Sequence, residues 1–140
     1  MKVRDIMSRD VEVARPDETL REVAQKMADC DIGSLPVCDG RKIQGMITDR
    51  DIAIRAVAQG RGPDTTAASV MSAGVEYCFE DDDLDEVCAK MSDRQIRRIP
   101  VVDADRNLVG IVSLGDIAVE GADENAAEAL ENISQPGGVH

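Results

Sequence analysis

The chain has 140 residues, 43% of them hydrophobic, and its 28 acidic against 16 basic residues give a net charge of −12. That length supports one compact unit or two half-sized ones with a real core, and the acidity excludes duplex nucleic acid and anionic membranes as partners, since both are held by basic patches that release counterions. One Tyr and one Phe remove the stacking platform of a single-strand binder, and an anionic ligand must find a local cluster among twelve arginines and four lysines. No apolar run approaches the length of a membrane span, and the opening MKVRDIMSRD is charged throughout, so no signal peptide is expected and the cytoplasm is the expected location.

In chain order, the first feature is a repeat. An offset of 64 aligns Ile6-Met7-Ser8 with Val70-Met71-Ser72, Leu20 with Leu84, Val23 with Val87, Met27 with Met91, and Leu35-Pro36-Val37 with Ile99-Pro100-Val101. After Asp39 and Asp103 the second copy carries one extra turn residue, and the offset becomes 65, pairing Gly45 with Gly110 and Asp51-Ile52-Ala53 with Asp116-Ile117-Ala118.

Each copy reads as β-α-β-β-α, an α+β chain with α/β-like character. A short alternating stretch, Val11-Glu12-Val13 or Val75-Glu76-Tyr77, predicts a strand. The helix after it carries apolar residues at i, i+3, i+4 and i+7: Leu20, Val23, Ala24 and Met27, then Leu84, Val87, Cys88 and Met91. Thr19 with Glu22 predicts a capping box, and Asp83 with Glu86 predicts the same with a carboxylate cap. SLPVC with KIQGMIT, and RIPVV with LVGIVS, read as hairpins across polar turns. A last helix is expected from Asp49 to about Gln59 and, shorter, from Leu114. The division expected is 1–60 and 68–120 for the two copies, with 61–67 a linker and 121–140 an acidic, partly disordered tail. A half of about sixty residues is small for a stable core, so the halves are expected to pack about a pseudo-twofold axis.

Three chemistries are set aside by residue type. Cys30, Cys38, Cys78 and Cys88 are spaced by 8, 40 and 10 residues, match no zinc or redox signature, and read as reduced core or near-core thiols. The single histidine is the terminal His140, which leaves no nucleophile–base pair and no catalytic residue to propose. The acidic run from Glu80 to Glu86 lacks the loop glycine of a calcium hand and has Ser92 where a bidentate Glu is needed, so no metal is expected.

What remains is GMITDRD, from Gly45 to Asp51, and its second copy GIVSLGD, from Gly110 to Asp116. A hydroxyl three residues before a carboxylate is an ordinary helix start. Its recurrence in matching slots of a repeat favours a site, and the strand-to-helix junction is expected to present free backbone N–H groups to an anion.

The doubled Gly-hydrophobic-x-Thr/Ser-x-x-Asp segment, the Ile-Met-Ser opening, the Leu-Pro-Val strand and this element order resemble the CBS domain, named for cystathionine β-synthase. Two in tandem, over roughly residues 1 to 120, resemble a Bateman module of the small stand-alone bacterial type. The resemblance implies a non-catalytic regulatory module that binds AMP, ADP, ATP, NAD(H) or S-adenosylmethionine in a cleft between the copies and signals through a change of shape or of dimer contacts. It implies no catalytic cofactor, a homodimer, and a regulated protein partner that it does not name.

Carried over by position, Asp51 and Asp116 hold the ribose hydroxyls, and Thr48 and Ser113 face the ribose or α-phosphate. A carboxylate accepts from both hydroxyls of a diol. Arg50, Arg97 and Arg98 are the phosphate candidates; Ser34, Leu35, Pro36, Ile99, Pro100, Val13 and Tyr77 line the base. The copies differ before the strand proline, Gly33-Ser34-Leu35 against Arg97-Arg98-Ile99, so unequal sites are expected. The competing reading is an interaction or dimerisation protein with empty clefts.

Overall fold

The computed structural model describes residues 1–120, and the expected acidic tail at 121–140 lies outside them. The fold is α+β, built from small sheets and short helices in two compact units. One unit is Glu12–Val75; the other joins Met1–Val11 to the chain from Glu76 onward.

In the Glu12–Val75 unit, α1 (Leu20–Cys30) starts at Thr19, whose Oγ1 accepts from Glu22 N at 3.2 Å while the Glu22 carboxylate accepts from Thr19 N, the expected capping box. Strands β1 (Ser34–Asp39) and β2 (Lys42–Thr48) form an antiparallel hairpin through Gly40, whose φ of 63° suits a residue without a Cβ. Alternation in β1 and β2 sends Leu35, Val37 and Ile47 into a core with Leu20, Val23, Met27 and Val70. Two short segments extend this hairpin. Ala14 pairs in parallel with Val37, and Ser72 pairs antiparallel with Met46, N–H to carbonyl both ways at 2.9 and 2.8 Å.

The other unit repeats the plan. Helix α4 (Leu84–Arg94) packs on β3 (Cys78–Phe79), β4 (Arg98–Val102) and β5 (Leu108–Ser113), with β3 parallel and β5 antiparallel to β4. Its far edge is closed by Ser8, which exchanges two 2.9 Å hydrogen bonds with Ile111. The sheet of each repeat is therefore completed by the Met-Ser opening of the other, Met7-Ser8 or Met71-Ser72.

Several expectations shift. Residues 11–13 and 75–77 are not strands; pairing starts at Ala14 and Cys78, because Lys26 Nζ takes the Val13 carbonyl at 2.6 Å and Lys90 Nζ takes the Tyr77 carbonyl at 2.9 Å. Asp83 caps Asp85 N at 3.0 Å, with no reciprocal bond from Glu86. The segment 61–67 is bonded to the start of α1: Leu20 N to Thr65 O, Arg21 N to Pro63 O, and Arg21 to Asp64 at 3.0 Å, just ahead of α3 (Ala67–Val70). Cys30, expected in or near the core, ends α1 exposed.

The other three thiols are buried, and burial raises the Cys38 pKa to about 11 and that of Cys78 to about 12, the latter helped by Asp82, and raises that of Cys88. From the unperturbed value of 9.0 upward the unfolded chain sheds these protons while the folded chain keeps them. Each of the two larger shifts therefore removes about 1.4 kcal/mol of stability per pH unit above that point. Urea melts from pH 8 to 10.5 should show this fall, flattened in Cys38→Val/Cys78→Ala, which borrows Val102 and Ala14 from the matching positions of the other repeat. An unchanged slope in that variant would contradict the assignment.

Candidate functional site

Strand β2 leads directly into α2 (Asp49–Asp51), and β5 into α5 (Leu114–Glu120). At each junction the hydroxyl and the carboxylate bond reciprocally. Thr48 Oγ1 accepts from Asp51 N at 3.0 Å, and Asp51 Oδ2 accepts from Thr48 N at 3.0 Å. Ser113 Oγ accepts from Asp116 N at 3.1 Å, and Asp116 Oδ2 accepts from Ser113 N at 3.2 Å. The plain helix-cap reading is thus satisfied in both copies. Each cap uses only Oδ2; the Oδ1 of Asp51 has Arg55 Nε 4.0 Å away, beyond hydrogen-bond distance, and so keeps its lone pairs for a closer donor.

The hairpins place the remaining candidates around these caps. Ser34 lies opposite Thr48 in the β1–β2 register, and Arg98 lies opposite Ser113 in β4–β5, so each pair shares a face of its sheet. Pro36 O accepts from Ala14 N at 2.9 Å, which sets Val13 beside the β1 proline; Tyr77 precedes β3, which lies beside β4. Leu35 and Ile99 are fully buried core side chains, and Pro36 and Pro100 are buried too, so the side chains at these positions serve the core. The Tyr77 ring already meets Phe79 edge-on at 5.8 Å and has the Arg106 guanidinium 5.9 Å from its centroid.

The expected free N–H groups are largely taken in the first copy. Asp49 N donates to Gly33 O at 2.9 Å, Arg50 N to Asp49 Oδ1 at 2.8 Å, and Asp51 N to Thr48. In the second copy Leu114 N donates to Arg97 O at 3.0 Å, but Leu114 has no side-chain oxygen to play the part of Asp49.

Four residues that the repeat pattern did not flag shape the first site. Asp49 is exposed, and a Cβ on Gly33 would stand 3.0 Å from its Oδ2. Arg55 places Nε 4.0 Å from Asp51 Oδ1 and donates to the carbonyls of Val70 and Met71 at 3.4 and 3.2 Å. It stands in a π turn, Ile52–Ala56, that runs on from α2 into a short 3₁₀ stretch, Val57–Gln59, where a plain α-helix was expected. The widened register is a feature often found at functional sites. Glu18, a buried carboxylate, is neutralised by Lys26 at 3.3 Å, so the lysine that holds the Val13 carbonyl is itself anchored.

The sequence pattern of the CBS domain matches residues 3–57 and 67–123. The chain is 42% identical over 133 residues to the CBS domain-containing protein YhcV of Bacillus subtilis, covering 94% of each. Its structure is similar to that of hypoxic response protein I with two coordinated zinc ions, at a TM-score of 0.79 and 39% identity over 87% of this chain and 100% of that one. It is also similar to the CBS domain pair of protein MJ0100 in complex with 5′-methylthioadenosine and S-adenosyl-L-methionine, at a TM-score of 0.73 and 36% identity over 85% and 94% of the two chains. Among the described residues no group of three or more His, Cys, Asp or Glu side chains is arranged to hold a metal ion, and no helix is long and apolar enough to cross a membrane.

Proposed function

We propose that the chain, which belongs to the CBS-domain family and carries two such domains in tandem, is a non-catalytic regulatory module that binds an adenosine-containing ligand and passes occupancy to a partner. The observation that carries this reading is the doubled cap: two hydroxyl–carboxylate pairs in equivalent slots, each with only one carboxylate oxygen used in the cap's hydrogen bonds. On this reading Asp51 and Asp116 accept from the ribose 2′ and 3′ hydroxyls. Thr48 and Ser113 stand next to the sugar, and Val13, Tyr77 and the backbone of Ser34-Leu35-Pro36 and Arg98-Ile99-Pro100 flank the base. Arg50, Arg97 and Arg98 are the candidate cations for a phosphate, at whichever of the two sites a phosphate is bound. The bound 5′-methylthioadenosine and S-adenosyl-L-methionine of the MJ0100 domain pair support the ligand class.

A catalytic role has little to work with. Cys38, Cys78 and Cys88 are buried thiols whose pKa values are raised, the reverse of an activated nucleophile. Homodimer formation, a cytoplasmic location and an unidentified regulated protein complete the proposal. Ligand binding can bias such a partner only by the difference in affinity between two states of the module.

A thermal-shift panel of AMP, ADP, ATP, NAD, NADH and S-adenosylmethionine tests the reading. A ligand at a hundred times its dissociation constant adds about 2.7 kcal/mol, a rise of several degrees for a chain of this size. The shift should disappear for that ligand in Asp51→Ala or in Asp116→Ala. No shift with any compound would favour the dimerisation protein with empty sites.

A further inference from the structure

We infer that the two capped sites sort their ligands by charge: the Arg98–Ser113–Asp116 site takes an adenosine ligand bearing a 5′-phosphate, and the Ser34–Thr48–Asp51 site takes one without. The inference rests on the adenosine reading above and adds which ligand class goes where.

The two sites are alike in their caps and unlike in charge. The stretch that pairs with Ser113 and the helix start carries two arginines, Arg97 and Arg98, and the cap itself carries one carboxylate, Asp116. Arg98 is half-buried on the same face of the β4–β5 ladder as Ser113, and Arg97 is exposed one residue earlier, tied to the helix start through its carbonyl. Among the described residues no carboxylate forms an ion pair with either arginine. Both guanidiniums are therefore available to a phosphate, with the fork geometry that suits it.

The matching positions at the first site are Gly33 and Ser34, which carry no charge, and Asp49 replaces the buried Leu114. Asp49 spends Oδ1 on Arg50 N and lies over Gly33, so the ground where a phosphate would meet Arg97 or Arg98 in the other copy is negative here. Arg50 is a cation within the cap segment, and its neighbours in sequence on both sides are the carboxylates Asp49 and Asp51. Arg55 is committed to the carbonyls of Val70 and Met71 and, with Nε at 4.0 Å, to Asp51 itself. On a chain of net charge −12 a phosphate has no general attraction to rely on, so this local difference decides.

The test compares AMP with adenosine, which differ only in the phosphate, by calorimetric titration of the full chain at low salt. AMP is expected to bind with a stoichiometry near one per chain. Arg98→Gln should weaken it by roughly tenfold or more while leaving adenosine unchanged. Asp116→Asn, which can still cap the helix, should weaken AMP and spare the adenosine site, and Asp51→Asn should do the reverse. Ser34→Arg/Asp49→Asn, which gives the first site the charge of the second, should raise the AMP stoichiometry toward two. Two equal AMP sites in the unaltered chain, or AMP binding indifferent to Arg98→Gln and sensitive to Asp51→Asn, would overturn the sorting while adenosine binding stood. Failure of both compounds to bind would overturn the adenosine reading and the sorting with it.

Discussion

Deleting Met1–Arg9 is expected to unfold the unit that contains the second repeat while the Glu12–Val75 unit keeps its fold. The deleted segment supplies Val3, which is fully buried, and Met7 to a core that includes Val87, Met91, Ile99, Val101 and Val112. It also supplies backbone bonds to four separate places: Met1 O accepts from Leu84 N, Val3 N and Arg4 N donate to Asp82 O and Glu80 O at 3.0 Å, and Ser8 exchanges two bonds with Ile111. Arg4 pairs with Asp81 as well. Two buried side chains at about 2 kcal/mol each and five hydrogen bonds at about 1 kcal/mol each sum to the order of the whole stability of a small domain. Native-state hydrogen exchange reads the outcome by region. Protection should collapse at Ile99–Val112 and persist at Leu35–Ile47; equal protection in both hairpins would contradict the assignment of the opening segment to this unit.

Gly45→Ala and Gly110→Ala are expected to destabilise by about 2–3 kcal/mol each, as overpacking does where neither side can yield. A Cβ on Gly110 would stand 2.8 Å from Ser8 O and 2.7 Å from Met7 Sδ; on Gly45 it would stand 2.6 Å from Ser72 O and 2.9 Å from Met71 Sδ. The methionine sulfurs can swing aside. The carbonyl oxygens cannot, because Ser8 O holds Ile111 N and Ser72 O holds Met46 N in the edge pairing. Each alanine thus strikes the bond that closes its sheet. Chemical denaturation should show two similar losses of stability with native folds retained at low denaturant. Alanine variants within about half a kilocalorie of the unaltered chain would mean the edge pairings are not held this closely.

These two glycines also mark how far the sequence could be read. The hairpins were legible almost to the residue, since Ser34–Asp39 with Lys42–Thr48 and Arg98–Val102 with Leu108–Ser113 are apolar runs bounded by turn residues. Helices α1 and α4 were legible from their 3.6-residue apolar spacing and their start signals. The exchange of opening segments was not. Ile6-Met7-Ser8 and Val70-Met71-Ser72 are near copies, and nothing local in either says which sheet it will close. An isolated glycine inside a strand pattern signals a close backbone approach without naming the partner.

At the site, the doubled Thr48–Asp51 and Ser113–Asp116 pairs were legible because a hydroxyl three residues before a carboxylate, recurring in matching slots, favours a reciprocal cap. Asp49 and Arg55 were not, since their parts come from contacts with Gly33, Asp51 and the carbonyls of Val70 and Met71 that only the folded chain assembles. Lys26 and Lys90 fall in matching slots of the repeat, yet their hold on the Val13 and Tyr77 carbonyls depends on how each helix packs against the segment before it.

The most direct test of the central claim removes the diol from the ligand and leaves everything else. Affinity for whichever adenosine compound shifts the melting temperature should be compared with that of its 2′,3′-dideoxy counterpart by calorimetric titration. If Asp51 or Asp116 holds the ribose hydroxyls, the dideoxy compound loses two charge-assisted hydrogen bonds and should bind roughly a hundredfold more weakly. Equal affinity for the two would contradict the account, leaving the capped carboxylates as helix caps alone.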